Sequence, residues 1–477
     1  MLPLQLSAEE FRDLAHRMAD RAADLLARMD ERPIFPPTSG AEAAAAFDRP
    51  LPDDGLGDAV LDDLGEVAAQ ARSGNARFFG YVLGSGEPVA ALGDLYASVL
   101  NQNVTAWRSS ASAVTIERTV VRQLAQAIGC DGFAGSLTSG GSIANLMALA
   151  MAREAHAPAN EDGAQQCVVY ASDEVHMSVP KALALLGIGR SNLRLIPADD
   201  QFRMPVGDVE AAISRDQRAG LRPIAVVASA GAVTTGAIDP LPELAQIAQA
   251  NDLWLHVDGA YGALAALAVP EKFAGLSLAD SISLDAHKWL YQPLDCSLLL
   301  YRDPAVARQT FAYTGDYAKS LSEDPVEGFA FFEESIELSR RFRALKLWLS
   351  LRYHGLGKFR QAIQKDLAHA QLLAGLIEAE PMLELLAPVE LSAVCFRWND
   401  RGGDEATLDR RNAAILQDLI RRGRVYLSNG NVRGAFALRA CIVNHRTTDD
   451  DVAAVIAEVL ESAQRTGGSW DTGHHGQ

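Results

Sequence analysis

The stretch Ser283-Leu284-Asp285-Ala286-His287-Lys288-Trp289 places a histidine and a lysine directly after an apolar run, residues 279–284. Such a run is typical of a buried strand. A lysine where a strand ends can point its amine into a cleft, and burial there favours the neutral, nucleophilic amine over the ammonium. Most lysines are simply solvated. A catalytic role for Lys288 therefore needs support from other motifs in the chain.

A second motif, Leu253-Trp254-Leu255-His256-Val257-Asp258-Gly259-Ala260-Tyr261-Gly262, is a short apolar strand that ends in an aspartate. Asp258 stands 30 residues before Lys288, which allows both to lie at the ends of neighbouring strands. A carboxylate in that position can keep a pyridine nitrogen protonated, which makes the ring an electron sink. Taken alone, an aspartate in a turn or helix cap is the more common explanation.

A third motif, Thr138-Ser139-Gly140-Gly141-Ser142, places small and hydroxyl residues before a strong helix former. The free N–H groups and the dipole at a helix N-terminus can bind a phosphate. The pattern is neither that of the phosphate-loop NTPases nor the dinucleotide fingerprint. Gly141 and Ser142 are therefore candidates for another kind of phosphate, although a plain Ser/Gly helix cap has a similar composition.

A fourth motif contains His176, which follows a predicted strand, residues 167–171, and opens a predicted helix. An imidazole in that place can stack on a planar cofactor. A lone histidine is more often structural, so the order and spacing of the four motifs indicate a shared site more strongly than any one of them.

Together the motifs resemble the group II pyridoxal-phosphate-dependent amino-acid decarboxylases, which include aromatic-L-amino-acid, glutamate, diaminobutyrate and tyrosine decarboxylases. The resemblance runs from about residue 8 to about residue 460 and includes Phe78-Phe79-Gly80-Tyr81, Arg340-Arg341-Phe342-Arg343 and Leu438-Arg439-Ala440-Cys441-Ile442. It implies an α/β, aminotransferase-like (fold type I) structure. We expect a mostly parallel seven-stranded sheet in a large domain, an N-terminal helical arm and a small α+β C-terminal domain.

The resemblance also implies the cofactor, pyridoxal 5'-phosphate (PLP), and a role for each candidate residue. Lys288 would hold the cofactor as an imine, Asp258 would face its ring nitrogen, and His176 would stack on the ring. The other candidate cofactor-binding residues would surround the ring and the phosphate: Gly141, Ser142, Ser229, Ala260, Asp285 and His287. No metal site is expected.

Tyr317 completes the candidate catalytic set, and its Gly/Ser/Asp/Glu-interrupted surroundings predict a loop. In the resembling family, a loop at this place closes over the site and its tyrosine donates a proton to the α-carbon. Family members that form aldehydes and consume oxygen tend to have lost this tyrosine or the stacking histidine. Both Tyr317 and His176 are present, which favours simple decarboxylation to the amine.

Two segments bear on the substrate, and they point in different directions. Phe79 and Tyr81 resemble the aromatic decarboxylases, but Val82 and Leu83 replace the aromatic residue and proline found there.

The second segment, which the family supplies across the dimer, contains Asn103, Thr105 and Trp107. A polar wall suits a polar substrate, because unpaired buried amides are costly. Aromatic and polar amino acids both remain open. The candidate substrate pocket comprises Phe79, Tyr81, Val82, Asn103, Thr105 and Trp107.

The chain divides into four predicted regions: a helical and extended dimerisation segment (1–85), a PLP-binding domain (86–355), a small domain (356–465) and a disordered tail (466–477). The first begins with an amphipathic helix after Ser7, followed by an extended wrap over residues 32–58. Strands are predicted at 166–171, 193–197, 224–228, 254–257, 281–284, 297–301, 389–398 and 436–442. Alternation with helices predicts a mostly parallel sheet whose ligand lies at the carboxyl ends of the strands.

Composition excludes several other classes of protein. A net charge of −18 without a basic tract argues against a nucleic-acid partner. No apolar run reaches the length of a membrane span, and the first ten residues do not resemble a secretion signal. Five widely spaced cysteines argue against a disulfide framework. We therefore expect a cytoplasmic protein. The family resemblance implies a homodimer with shared active sites that acts on a small amino-acid substrate.

Three alternatives remain open. The first is decarboxylation-coupled aldehyde synthesis, and the second is another PLP reaction such as transamination or carbon–carbon lysis. Tyr317 discriminates here, because a transaminase must return the proton to the cofactor. A non-catalytic PLP-binding scaffold is disfavoured by the joint presence of Lys288, Asp258, His176 and Tyr317.

Overall fold

The computed structural model describes residues 4–72, 74–313 and 324–467. Two sheets organise these residues, one of seven strands and one of four. The strands are β1 (Ala134–Thr138), β2 (Val168–Ser172), β3 (Leu193–Ile196), β4 (Pro223–Ser229), β5 (Trp254–Asp258), β6 (Ser281–Asp285), β7 (Ser297–Tyr301), β8 (Leu383–Leu385), β9 (Ala393–Trp398), β10 (Ser428–Val432) and β11 (Ala435–Cys441).

Helices surround both sheets. They are α1 (Ala8–Ala27), α2 (Gly40–Phe47), α3 (Asp63–Gln70), α4 (Pro88–Leu100), α5 (Ala111–Ala127), α6 (Gly141–His156), α7 (Ser178–Leu185), α8 (Val206–Arg218), α9 (Leu241–Ala250), α10 (Ala286–Trp289), α11 (Pro304–Phe311), α12 (Ala344–His354), α13 (Leu356–Ala379), α14 (Glu405–Arg422) and α15 (Asp449–Gly467). None of those described is long and apolar enough to cross a bilayer.

The large sheet has the strand order β1-β7-β6-β5-β4-β2-β3. Strands β3, β2, β4, β5 and β6 run parallel, whereas β7 is antiparallel to both of its neighbours. The prediction of a mostly parallel seven-stranded sheet is therefore confirmed. The six strands predicted in this region agree with the structure to within two residues.

The core of the large sheet lies on both of its faces. Along β4, Val226 and Ala228 contact one apolar cluster, while Ala225 and Val227 contact another on the opposite face. A sheet covered on both sides needs strands that are apolar throughout. For this reason its strands appear in the sequence as short continuous runs of apolar residues.

The strand β1 was missed by the sequence analysis. Its sequence, Ala-Gly-Ser-Leu-Thr, contains a single β-branched residue, Thr138, and no aromatic residue, so the local signal for a strand is weak. Antiparallel pairing with β7 determines its conformation, which is a tertiary effect that a local pattern does not carry.

The small sheet is antiparallel, in the order β10-β11-β9-β8. Apolar residues of β9 and β11 share a core with helices α13, α14 and α15. The expected small α+β unit near the C-terminus is thus confirmed. Helix α15 continues to Gly467, past the expected tail boundary at 466, and Thr466 is buried with its hydroxyl bonded to the Ser462 carbonyl.

The N-terminal region begins as predicted and then departs from the prediction. Ser7 caps α1 in a capping box with Glu10. The supposed extended wrap at 32–58 is wrong, because it contains the helix α2. There, Ser39 and Glu42 form a second capping box ahead of an alanine run, and this start signal together with alanine's helix propensity outweighs the flanking prolines.

Candidate active site

A cavity of about 330 Å³ opens at the carboxyl ends of the parallel strands. That volume lies within the range of small-ligand pockets. Strand β5 ends at Asp258 and β6 ends at Asp285, and their parallel pairing places Asp258 beside Ser283. All nine candidate cofactor-binding residues line this cavity: Gly141, Ser142, His176, Ser229, Asp258, Ala260, Asp285, His287 and Lys288.

The lysine sits on the short helix α10, immediately after β6. Its Nζ lies 2.9 Å from Asp285 Oδ2, and His287 Nε2 lies 3.5 Å from the same oxygen. Burial alone would raise the pKa of Asp285, but the facing Lys288 and His287 outweigh it and hold this pKa below its ordinary value. The cavity therefore contains a buried carboxylate and an amine at hydrogen-bond distance.

His287 is fixed by the strand that follows. The Cys296 carbonyl lies 3.1 Å from Nδ1, so we assign the proton to Nδ1, which leaves Nε2 facing Asp285. Burial lowers the pKa of His287, against the opposing effect of Asp285.

Asp258 receives three hydrogen bonds. Asn145 Nδ2 donates to Oδ2 at 2.8 Å, while the Ser283 hydroxyl and the Ala260 N–H donate to Oδ1 at 3.0 and 3.2 Å. These donors come from α6, β6 and the turn after β5. A carboxylate held from three directions is suited to face a ring nitrogen in a fixed geometry.

His176 lines the cavity from the turn before α7, which begins at Ser178 rather than at His176 itself. Its Nδ1 accepts from the Ser178 hydroxyl at 2.7 Å and from the Ser178 N–H at 3.2 Å. The proton therefore resides on Nε2. Burial lowers the pKa of His176, partly opposed by Asp258, so the ring is favoured in its neutral form.

The N-terminus of α6 forms the end of the cavity nearest Asp285. A Cβ on Gly141 would lie 2.8 Å from the Ala260 Cβ and 3.1 Å from both carboxylate oxygens of Asp285, so only glycine leaves this space open. Ser142 adds a hydroxyl beside the free N–H groups of the first helical turn. This arrangement fits the phosphate of PLP. Lys288 fits its aldehyde, and Asp258 and His176 fit its ring.

Several cavity residues were missed by the sequence analysis. Asn145 follows Gly141 by one helical turn, so the helical period could have found it. Glu174, Tyr261, Val233 and Leu294 also line the cavity. Glu174 and Tyr261 lie within three residues of His176 and Asp258, so their motifs could have found them, whereas no local pattern marks Val233 or Leu294.

The six candidate substrate-pocket residues do not line this cavity within the described part of one chain. Phe79 is fully buried in the core of the small sheet. Tyr81 is half exposed, and its hydroxyl accepts from Arg72 and Tyr426. Val82 and Trp107 pack against the large core.

Asn103 and Thr105 were expected to form a polar wall for the substrate, and that role stays a prediction. Asn103 Oδ1 accepts the Arg340 N–H at 2.9 Å, so the amide oxygen has a structural partner. The Thr105 carbonyl accepts from Phe331. Tyr317 lies outside the described residues, so its candidate role stays a prediction.

Comparisons with known proteins identify the family of the chain. The model of the pyridoxal-dependent decarboxylase conserved domain matches residues 45–399. The chain is 34% identical over 475 residues to an aromatic-L-amino-acid decarboxylase of Bacillus atrophaeus, covering 97% of each chain. It is 31% identical to a 4-hydroxyphenylacetaldehyde synthase of Rhodiola rosea, covering 85% of each chain.

Solved structures give the same result. A crystal structure of Oryza sativa TDC with PLP and tryptamine superposes with a TM-score of 0.91, at 26% identity over 98% of this chain and 99% of that one. Catharanthus roseus tryptophan decarboxylase in complex with L-tryptophan gives a TM-score of 0.88, at 27% identity over 98% and 100% of the two chains. This chain therefore belongs to the pyridoxal-dependent decarboxylase family and is a PLP-dependent amino-acid decarboxylase.

Proposed function

We propose that the chain decarboxylates an aromatic L-amino acid to the corresponding amine and carbon dioxide. The observation that carries the choice of substrate is the cavity lining. Ile143, Val233 and Leu294 are apolar, and among the described lining residues Lys288 is the only lysine or arginine. An acidic side chain would need a further cation, whereas an aromatic ring needs apolar surface. Relatives named for aromatic, tryptophan or tyrosine decarboxylation support the same choice.

A basic substrate is the second candidate, because Glu174 also lines the cavity. Its carboxylate is a possible partner for a side-chain ammonium. Burial raises the pKa of Glu174, and the neighbouring Asp173 adds to the effect. This weakens Glu174 as an ion-pair partner, so we rank an aromatic substrate first.

Each residue has a defined task in the proposed reaction. When bound, PLP supplies a protonated pyridine ring that accepts the electron pair left by the departing carboxylate. The Lys288 amine would hold the cofactor covalently. Asp258 would hold the ring nitrogen, His176 would stack on the ring, and the α6 N-terminus with Gly141 and Ser142 would bind the phosphate.

The carbon that loses carbon dioxide must then receive a proton. We assign this step to the Tyr317 hydroxyl, from its sequence correspondence with the family's loop tyrosine. The assignment predicts an amine product instead of the aldehyde for which the Rhodiola rosea relative is named.

We further propose that the enzyme is a homodimer with shared active sites. Helix α1 buries no residue within one chain, although Phe11, Met18 and Leu25 form an apolar stripe. Helix α4 likewise exposes a continuous apolar face. Exposed patches of this kind mark interfaces. The α4 face consists of Leu92, Leu95, Tyr96, Val99 and Leu100.

A reducing, cytoplasmic location is also proposed. All five cysteines are free and buried. Burial raises the pKa of Cys130, Cys296 and Cys395 to about 12, which suppresses their reactive thiolate forms.

The substrate assignment is tested by measuring carbon dioxide and amine release from PLP-saturated enzyme. Tryptophan, tyrosine, phenylalanine and dihydroxyphenylalanine should be turned over. Glutamate should not be. If 2,4-diaminobutyrate or ornithine is the only substrate, the Glu174 alternative replaces the aromatic proposal.

A further inference from the structure

Asn145 lies at the centre of a buried hydrogen-bond network that connects the cavity lining to residues outside it. Its side chain is inaccessible to solvent. Nδ2 donates to Asp258 Oδ2 at 2.8 Å and to Ser178 Oγ at 2.9 Å. Its Oδ1 lies 2.9 Å from Nε2 of His256, which is fully buried and is not among the residues that line the cavity.

The direction of every hydrogen bond in this chain follows from chemistry. A carboxylate only accepts, so the Asn145 NH₂ group must face Asp258 and its oxygen must face His256. His256 therefore carries its proton on Nε2. Its Nδ1 accepts from the Ser281 hydroxyl at 2.9 Å, and that hydroxyl in turn accepts the Trp254 indole N–H at 2.8 Å.

The other branch ends at the ring-covering histidine. Since Ser178 Oγ accepts from Asn145, its own proton goes to His176 Nδ1 at 2.7 Å. The Asn145 amide therefore contacts the Asp258 carboxylate directly. It is linked to the His176 imidazole through the Ser178 hydroxyl. Both donors and the acceptor of that amide are used, so turning it over would break all three contacts at once.

We propose that Asn145 is a positioning residue that couples Asp258 to His176, and that His256 acts through Asn145 by fixing the orientation of its amide. This inference rests on the roles proposed above for Asp258 and His176. Burial lowers the pKa of His256 to about 4, so at neutral pH the imidazole is uncharged and keeps this hydrogen-bond pattern. Lys288, Asp285 and Lys181 are the other charged groups that act on His176.

The test uses the full chain, freed of cofactor and titrated with PLP. Two readouts are followed: the dissociation constant, and the pH midpoint of the visible absorption band of the bound cofactor. Asn145→Ala and His256→Phe should each weaken PLP binding by about tenfold to a hundredfold, the effect of losing a hydrogen bond to a charged group. Both should shift the pH midpoint. His256→Gln, which can still donate to Asn145, should restore both values towards wild type.

A double-mutant cycle isolates the coupling. In the Asn145→Ala background, His256→Phe should have little further effect on either readout. The control is Asn412→Ala, which removes an equally buried asparagine of α14 whose partners are Trp398 and Leu408. It should lower the melting temperature while leaving the pH midpoint unchanged.

The outcomes separate this inference from the proposed function. Asp258→Asn serves as the reference and should shift the pH midpoint. If it does not, the role of Asp258 and the coupling are both overturned. If Asp258→Asn shifts the pH midpoint but His256→Phe does not, the coupling alone is overturned. The same holds if the effects of Asn145→Ala and His256→Phe on PLP affinity are additive.

Discussion

At the residue scale, burial determines which protonation states the site holds. His176, His256 and His287 all have a pKa below the ordinary value because burial disfavours the imidazolium. Asp285 keeps its charge because Lys288 and His287 face it. The site therefore combines imidazoles favoured in their neutral form, which suits ring stacking and hydrogen bonding, with a buried carboxylate that pairs with Lys288.

His256 makes stability depend on pH in a predictable direction. Its pKa is about 4 in the folded chain and 6.5 ordinarily, so between these values the unfolded chain binds more protons. This contribution to the free energy of unfolding is present above about pH 6.5 and is lost as the pH falls towards 4, by roughly 3 kcal/mol. Chemical denaturation at a series of pH values measures the free energy of unfolding. Between about pH 4 and 6.5 this free energy should depend less on pH in His256→Gln than in wild type. An unchanged dependence on pH would contradict a neutral buried His256.

Tyr317 is expected to control the product rather than the loss of carbon dioxide. Tyr317→Phe keeps the ring and removes the O–H, so carbon dioxide release should persist while amine yield falls and aldehyde, ammonia and peroxide appear. Product analysis under air measures the ratio. Clean amine formation at the native rate would exclude Tyr317 as the proton donor.

The sequence predicted most of the titratable residues that line the cavity, whereas the roles of the six candidate substrate-pocket residues stay predictions. Lys288, Asp258 and His176 carry local signatures, because each follows an apolar strand at a fixed place in a motif. Val233 and Leu294 belong to no recognised motif and reach the cavity through the tertiary fold. Asn103 accepts the N–H of Arg340, which lies 237 residues away, and no local pattern in the sequence could predict this contact.

At the element scale, the segment before α4 supports the lysine helix α10. The Gly84 N–H donates to the His287 carbonyl at 3.1 Å, and the Glu87 N–H donates to the Tyr291 carbonyl at 2.7 Å. The position of Lys288 thus depends on backbone from a distant part of the chain, although Gly84 carries no chemistry of its own.

Gly84→Ala should displace α10. The added Cβ would lie 2.7 Å from the His287 carbonyl oxygen and 2.8 Å from that of Lys288, which is too close for either backbone to remain in place. We expect PLP affinity to fall at least tenfold and the melting temperature to fall as well, measured by cofactor titration and thermal unfolding. Gly74→Ala is the matched control, because its Cβ would meet only the Ser85 carbonyl at an ordinary 3.5 Å. Equal behaviour of the two variants would contradict this packing.

At the scale of the whole molecule, the fold was predictable because apolar strands and intervening helices leave few arrangements for a covered parallel sheet. The exceptions are β1 and α2, where pairing with β7 and a local capping box outweigh the composition. The domain boundaries at 86 and 356 stay predictions.

The proposed homodimer predicts an effect of charge on the exposed α4 face. Leu95→Asp should shift the protein towards monomers and reduce turnover, because burying an unpaired carboxylate in an interface is costly. Sedimentation velocity would measure the change. Leu185→Asp, at an exposed leucine of α7, is the control and should leave assembly unchanged. A monomeric wild type would overturn the proposal.

The most direct test of the site is to locate the cofactor on the chain. The PLP-loaded enzyme is reduced with borohydride, digested and mapped by mass spectrometry. We predict a pyridoxyl group on Lys288 and on no other lysine, and its absence from Lys288→Ala, which should also release no carbon dioxide. A pyridoxyl group on another lysine, or full turnover by Lys288→Ala, would contradict the account.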